Sequence, residues 1–161
     1  YAGTFYGLRK PTTFFDGLNL FLKKYPVDFK LKFIGCNANF SIPENLKESC
    51  EFYPKIDTIE AVKAMAFSDA NLLILPVIEG KGVYSGKIFE YLSVKKPIIA
   101  VVDPQDVAAK LILETGSGFV ADFNDPNEIY KAIEQTYHLW RNKQQMNISD
   151  ETTNFSELLY S

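Results

Sequence analysis

The most informative stretch of this chain is Ile78-Glu-Gly-Lys-Gly-Val-Tyr-Ser-Gly-Lys-Ile-Phe-Glu-Tyr-Leu92. It follows the apolar run 71–77, which predicts a buried strand, and its second half has the pattern of a helix that begins near Ser85. Glycines at such a turn let the backbone approach a ligand, and the first N–H groups of a helix lack partners within it. The stretch therefore predicts a strand, a glycine-rich turn and a helix that together favour a bound anion.

The charged residues of this predicted helix support the same interpretation. Lys87 falls in the first turn, where the helix dipole ordinarily favours Asp or Glu. A cation at that position suits a site for a bound anion such as a diphosphate. Glu90 lies one turn later on the same face, and a carboxylate behind a phosphate site can accept hydrogen bonds from the hydroxyls of a ribose. The pattern indicates a nucleotide site.

Length and composition indicate an ordinary single domain. The chain has 161 residues, of which 47% are hydrophobic and 23% are charged. A net charge of −3 with scattered Lys and Arg argues against a nucleic-acid surface. Cys36 and Cys50 lack CxxC spacing and a nearby His, so we expect neither a disulfide framework nor a metal site. We expect no cofactor either, since a nucleotide bound at the predicted site would be a substrate. No apolar run approaches the ~18 residues needed to cross a bilayer, and we expect a cytoplasmic domain.

Strand-like and helix-like segments alternate along the chain. This alternation predicts an α/β fold, namely a Rossmann-like, doubly wound parallel sheet of about six strands with helices on both faces. We expect residues 1–145 to form this domain and residues 146–161 to form a C-terminal tail. The predicted strands are 1–4, 29–34, 51–53, 72–77, 98–102 and 119–122, and the predicted helices start at Pro11, Ser41, Asp57, Ser85, Asp103 and Asp125.

The expected strand order selects one ligand site. In the common order 3-2-1-4-5-6, ligands bind beyond the carboxyl ends of the first and fourth strands, where the order reverses. The segments that follow those two strands are 3–10 and 79–87, and each places a cation before or at a helix start. Other predicted helices begin with Asp57, Asp103 and Asp125, as the helix dipole prefers. Topology and charge therefore indicate the same crevice.

The chain resembles the carboxyl-terminal domain of GT-B glycosyltransferases, in particular the retaining family 4. The resemblance extends from Tyr1 to about Asn142. Its clearest segments are Tyr1-Ala-Gly-Thr-Phe-Tyr-Gly-Leu-Arg-Lys-Pro11, Leu31-Lys-Phe-Ile-Gly35 and Ser85-Gly-Lys-Ile-Phe-Glu-Tyr-Leu-Ser-Val-Lys-Lys-Pro-Ile-Ile-Ala100. In that family this domain binds the nucleotide-sugar donor, and an amino-terminal domain holds the acceptor. The resemblance implies a retaining sugar transferase of polysaccharide or glycoconjugate biosynthesis, of which this chain alone is expected to be inactive.

The resemblance also implies a set of residues around the diphosphate. The backbone groups of Ser85 and Gly86 would meet the diphosphate, with Lys87 close by. Arg9, with Lys10 next to it, would neutralise phosphate charge as the leaving group develops. Arg9 and Lys87 are therefore the expected catalytic residues.

The rest of the donor has its own expected contacts. By the same resemblance, Glu90 would hold the ribose hydroxyls, and Ile56, in the loop after the third strand, would contact the base. Gly3 and Thr4 would allow the donor to approach the backbone closely. These positions complete the expected donor site.

One position departs from the family pattern. The family often has a second glutamate eight positions before the ribose-binding one, close to the donor sugar, and Gly82 occupies that position here. Glu79 is the nearest acid upstream and would need a different loop path to replace it. The departure concerns recognition of the sugar more than binding of the nucleotide.

The expected partners follow from the resemblance. They are a nucleotide-diphosphate sugar and the amino-terminal domain of the same protein, on which the tail 146–161 would pack, with peripheral association of the full-length protein at the inner face of a membrane. Two alternatives stay open: a GT-B-fold sugar-nucleotide epimerase and a non-catalytic nucleotide-binding regulatory domain. The epimerase would need acids or a His that the sequence does not identify at the site. A receiver-type regulatory domain would offer an acidic cluster where this chain is basic and glycine-rich.

Overall fold

The computed structural model describes residues 1–3, 10–75 and 86–146. Within these ranges, helices and strands alternate as the sequence predicts, and the α/β class is confirmed. The elements are α1 (Thr12–Lys24), β1 (Leu31–Ile34), a 3-10 helix (Glu44–Ser49), β2 (Cys50–Tyr53), α2 (Thr58–Phe67), β3 (Asn71–Ile74), α3 (Gly86–Ser93), β4 (Ile98–Val102), α4 (Val107–Thr115), β5 (Gly118–Asp122) and α5 (Pro126–Arg141).

The described strands form two parallel sheets, whereas the sequence predicted one sheet of about six strands. β1 pairs with β2, and β4 lies between β3 and β5. The predicted first strand is represented by a bridge between Ala2 and Ile34. The hydroxyl of Tyr91 accepts a hydrogen bond from the N–H of Ala2 and donates one to the carbonyl of Leu72, both at 3.0 Å. A side chain, rather than a backbone ladder, therefore joins the two sheets at this point.

Helices cover both faces of the three-stranded sheet. Leu72 and Ile74 belong to a buried apolar cluster with residues of α1 and α5. Leu73 and Leu75, which alternate with them along the chain, belong to a second cluster with residues of α2, α3 and α4. Because successive side chains of a strand point to opposite faces, these clusters lie on opposite sides of the sheet. The doubly wound arrangement explains why these strand residues are nearly all apolar.

Capping residues define several helix ends as the sequence predicts. The carboxylate of Asp57 accepts a hydrogen bond from the N–H of Glu60 at 2.9 Å, and Asp125 caps the first turn of α5 in the same way. Gly116 ends α4 with a φ of 63°, a left-handed conformation that glycine adopts readily. These ends rest on local hydrogen bonds, which is why the sequence reveals them.

Two predicted helix starts are wrong. The N-cap of α4 is Asp106, because Asp103 instead accepts a hydrogen bond from the N–H of Gln105 in the preceding turn. The helix predicted to start at Ser41 is the 3-10 helix Glu44–Ser49. It begins after Pro43 and has no side-chain cap. A turn at residues 104–105 precedes α4, and residues 41–43 are irregular, so each helix begins later than the sequence predicted.

Candidate functional site

A pocket lies where the carboxyl ends of the parallel strands meet, beside the bridge at Ala2. Its cavity volume is about 130 Å³. Its walls come from the bridge segment, from the turn after β1, from the loop after β2 with the start of α2, and from the first turns of α3. The lining residues are Ala2, Gly3, Ile34, Gly35, Lys55, Ile56, Thr58, Ala61, Lys87 and Glu90.

An ion pair formed by Lys87 and Glu90 lines this pocket. The Nζ atom of Lys87 lies 3.4 Å from Oε2 of Glu90, and the two side chains are 31% and 18% exposed. The three-residue spacing places both side chains on one face of α3. By contrast, the side chains in the helical pair of Lys63 with Glu60 are both more than half exposed. The pocket therefore partly removes a cation and a carboxylate from water, which increases the strength of their interactions with a ligand.

Gly3 allows the side chain of Lys87 to lie across the backbone just after the bridge at Ala2. Gly3 has a φ of 124°, and its N–H donates to the carbonyl of Ile34 at 2.9 Å. A Cβ atom at this position would lie 3.0 Å from Cε of Lys87, and other residues rarely adopt such a backbone conformation. The backbone conformation therefore favours glycine here, and the end of the lysine side chain packs against it.

Tyr91 fixes the orientation of α3 beneath the charged pair. Its side chain is 1% exposed, and its hydroxyl links Ala2 to Leu72 as described above. Burial raises the pKa of its phenol, so the hydroxyl remains protonated and able to donate. Because Glu90 precedes Tyr91 in the helix, the anchored ring holds the carboxylate at the edge of the pocket.

The amino end of α3 differs from the amino ends of α2 and α5. Those two helices have an Asp cap and a Glu in the first turn, whereas the first turn of α3 has no acidic residue. Among the described residues, no atom lies within 4 Å of the position that a Cβ atom would take at Gly86. Lys55 and Lys87 contribute two cations to the pocket wall, beside the single carboxylate of Glu90. Helix dipole and side chains together favour an anion at this end of α3.

Four of the predicted donor-site residues line this one pocket. They are Gly3, Ile56, Lys87 and Glu90, which come from three separate segments of the chain. Gly86 begins α3 next to Lys87 but is not itself a lining residue. The structure therefore brings together residues that the sequence selected in different places.

Most of the other predicted residues lie outside the described ranges, and one lies outside the pocket. Thr4, Arg9 and Ser85 lie outside the described residues, and so do Glu79 and Gly82. The predicted tail is described only at its first residue, 146. Lys10 is described, and it is an exposed residue outside the lining of the pocket.

Two polar residues of the pocket were not identified from the sequence. Lys55 lies in the loop after β2, and Thr58 is the first residue of α2. The available signal was topological: Gly35 and Lys55 both follow parallel, paired strands and therefore reach the same sheet edge. The contact is close, since a Cβ atom on Gly35, whose φ is 75°, would lie 3.5 Å from Cα of Lys55.

Metal-binding and membrane-spanning features are absent from the described ranges 1–3, 10–75 and 86–146. These ranges contain no group of three or more His, Cys, Asp and Glu side chains placed to hold a metal ion. They contain no helix long and apolar enough to cross a bilayer. His138, the single histidine of the chain, lies on α5, where its Nε2 atom is 3.4 Å from the hydroxyl of Tyr25. It does not line the pocket.

Known proteins add no further information about the site. No protein-family model matches the chain, and no curated protein matches it. The residues of the pocket therefore carry the functional proposal.

Proposed function

We propose that this chain is the donor-binding half of a GT-B glycosyltransferase, which transfers a sugar from a nucleotide-diphosphate sugar to an acceptor. The observation that carries the proposal is the convergence of Gly3, Ile56, Lys87 and Glu90 on one pocket at the carboxyl ends of parallel strands. The resemblance implied that these four residues serve a single ligand. Their common pocket supports that expectation, because one ligand bound there could contact all four residues.

In this proposal the diphosphate binds at the amino end of α3. Lys87 and the N–H groups of the first turn contact the phosphate oxygens, and Lys55 adds a second cation at the pocket wall. Arg9 contributes from the segment that follows Gly3. Negative charge grows on the diphosphate as the bond to the sugar breaks, and fixed cations stabilise that charge without reorganising. Lys87 and Arg9 are thus the proposed catalytic residues.

The nucleoside binds on the other side of Lys87. Glu90 accepts hydrogen bonds from the ribose hydroxyls, and Ile56 offers an apolar side chain to the base. When the diphosphate binds, Lys87 exchanges its contact with Glu90 for contacts with phosphate oxygens, so both carboxylate oxygens become available to the ribose. The ion pair therefore holds the two side chains close to the positions that the donor requires.

The proposed chemistry needs orientation and charge neutralisation rather than a covalent intermediate on this chain. An amino-terminal domain of the same protein supplies the acceptor site, and the chain by itself transfers no sugar. We also propose that the complete donor-binding domain has one parallel sheet of about six strands, as the sequence predicts. The position of His138 on α5, outside the pocket, favours a transferase over an epimerase that uses a histidine at this site.

A panel of UDP-, GDP-, ADP- and CMP-linked sugars tests the proposal by thermal shift. A ligand that binds the folded chain raises its melting temperature by mass action, and we expect a clear rise with one base. Lys87→Ala and Glu90→Gln should each reduce that rise, whereas Lys110→Ala and Glu114→Gln, in an exposed pair on α4, should keep it. No rise with any base would contradict nucleotide-sugar binding. Product analysis with the full-length protein then distinguishes a transferase from an epimerase.

A further inference from the structure

The ion pair of the pocket holds its two charged groups at a long distance. Nζ of Lys87 lies 3.4 Å from Oε2 of Glu90, whereas an ammonium and a carboxylate in a strong hydrogen bond lie about 2.7–2.9 Å apart. The two side chains are 31% and 18% exposed, so water screens their attraction only in part. The contact can therefore persist before a ligand binds and can still be exchanged for a better partner.

The stem of Lys87 is held in place, while its ammonium can turn. Cε of Lys87 lies 3.0 Å from the position that a Cβ atom would take on Gly3, so the stem packs against this backbone. Rotation about the Cδ–Cε bond moves Nζ between staggered positions and leaves Cε where it is. The ammonium can therefore move away from Glu90 without displacing the rest of the side chain.

Glu90 and a bound phosphate group would compete for that ammonium. The helix dipole disfavours a cation in the first turn of α3, and Glu90, the single acid among the described residues that line the pocket, compensates for it. A diphosphate at the amino end of the helix would compensate for it better, because it carries more negative charge. Glu90 would then lose its contact with the lysine and offer both carboxylate oxygens to another donor.

We propose that the ion pair of Lys87 with Glu90 couples the two halves of the pocket, so that a phosphate group and a ribose bind more tightly together than separately. This inference rests on the proposed function, which assigns the phosphate to Lys87 and the ribose to Glu90. A nucleoside without phosphate competes with Lys87 for the carboxylate, whereas a nucleoside diphosphate draws the lysine away. The coupling is reciprocal, because a ribose on Glu90 releases Lys87 for the phosphate to the same extent. The site therefore selects against nucleosides that lack the diphosphate.

Lys55 provides a matched control within the same pocket. It is the second cation of the lining and lies in the loop after β2, where its Cα, Cβ and Cγ atoms are 3.5–3.8 Å from the position that a Cβ atom would take on Gly35. Loss of either lysine removes a positive charge near the phosphate, but Lys87 is the lysine that is paired with Glu90. Substitution of the two lysines should therefore have the same effect on a diphosphate and different effects on a nucleoside.

Titration of the chain with uridine, guanosine, adenosine and cytidine, each compared with its 5′-diphosphate, measures the coupling for the base that the chain binds. Lys87→Met keeps an unbranched stem over Gly3 and removes the ammonium. Its affinity for the nucleoside should be about two- to fivefold higher than that of the parent, the range that loss of a partly exposed ion pair allows. Its affinity for the nucleoside diphosphate should be lower. Lys55→Met should also bind the diphosphate more weakly, with unchanged affinity for the nucleoside.

The outcomes separate the coupling from the proposed function. If the parent binds a nucleoside diphosphate but Lys87→Met gains no affinity for the nucleoside, the two halves of the pocket bind independently, and the coupling is wrong while the donor site stands. If the parent binds none of the nucleosides and none of their diphosphates, both are wrong. Inorganic phosphate added at constant ionic strength gives a second test without a substitution. It should raise the affinity of the parent for the nucleoside, and an unchanged affinity would overturn the coupling.

Discussion

The carboxylate of Glu90 lies 3.4 Å from the ammonium of Lys87, on the partly enclosed face of α3. The next residue, Tyr91, is buried and anchors this helix to both sheets. The backbone of Gly3 passes beneath the lysine stem. The fold therefore fixes one cation and one carboxylate at the strand ends, and the proposed function depends on how these two side chains share a ligand.

Replacement of Glu90 should weaken binding of the nucleoside part of the donor. We expect Glu90→Gln to reduce nucleoside diphosphate affinity about tenfold to a hundredfold, since hydrogen bonds to charged groups contribute roughly 1.5–3 kcal/mol. Affinity for inorganic diphosphate should not fall, because Glu90 contacts the ribose in this proposal. Calorimetry with both ligands measures the difference, with Glu114→Gln as the exposed control. A loss for both ligands alike would assign Glu90 to the phosphate site.

Replacement of Lys87 should weaken binding of the diphosphate part of the donor. Lys87→Ala should reduce diphosphate affinity and weaken its dependence on salt, because a cation near the phosphate is removed. The free energy of unfolding without ligand should change by less than about 1 kcal/mol, since the lost ion pair and the relieved helix dipole oppose each other. Lys110→Ala is the matched control. Strong destabilisation with unchanged binding would make Lys87 a structural residue.

The hydroxyl of Tyr91 should contribute to stability, because it forms hydrogen bonds with two buried backbone groups. Tyr91→Phe leaves the N–H of Ala2 and the carbonyl of Leu72 without this partner, at an expected cost of about 1–3 kcal/mol in the free energy of unfolding. Tyr53→Phe removes a surface hydroxyl bonded to Glu51, and its effect should stay within about 0.5 kcal/mol. Urea denaturation of both variants makes the comparison. Equal effects would show that the Tyr91 bridge adds nothing to stability.

Sequence reasoning succeeded where the signals are local. The caps at Asp57 and Asp125 depend on hydrogen bonds within one helical turn, and the shared face of Lys87 and Glu90 depends only on helical periodicity. The alternation of strands and helices likewise predicted the α/β class. Such features are determined by neighbours in the chain, so they can be predicted without knowledge of the packing.

Other features depend on contacts between distant segments. The sequence could not show that the hydroxyl of Tyr91 connects two segments 70 positions apart, at residues 2 and 72. The sequence did not identify Lys55 as a pocket residue, because its position there follows from the pairing of β2 with β1. The predicted single sheet also assumed that the first strand pairs on both sides, whereas Ala2 meets Leu72 through Tyr91.

The contact between Lys24 of α1 and Glu134 of α5 should make the stability of the fold depend on pH in the acid range. Hydrogen bonding from Tyr130, and then from Lys24, lowers the pKa of Glu134 from 4.5 to about 2. A carboxyl with a lowered folded-state pKa contributes stability that is fully present above pH 4.5 and is lost as the pH falls toward 2. Glu134→Gln should therefore be less stable than the parent at about pH 6, with a smaller difference at about pH 3. Urea midpoints at both pH values measure this, and a constant difference would contradict it.

The most direct measurement is the affinity of the chain for a nucleoside, its monophosphate and its diphosphate, determined by calorimetry at low and high salt. If the pocket at the amino end of α3 binds a diphosphate, affinity rises along the series, and the rise shrinks as salt screens the charges of Lys55 and Lys87. Lys87→Ala should flatten the series in the same way. A series that is already flat for the parent chain at low salt would contradict the proposed donor site.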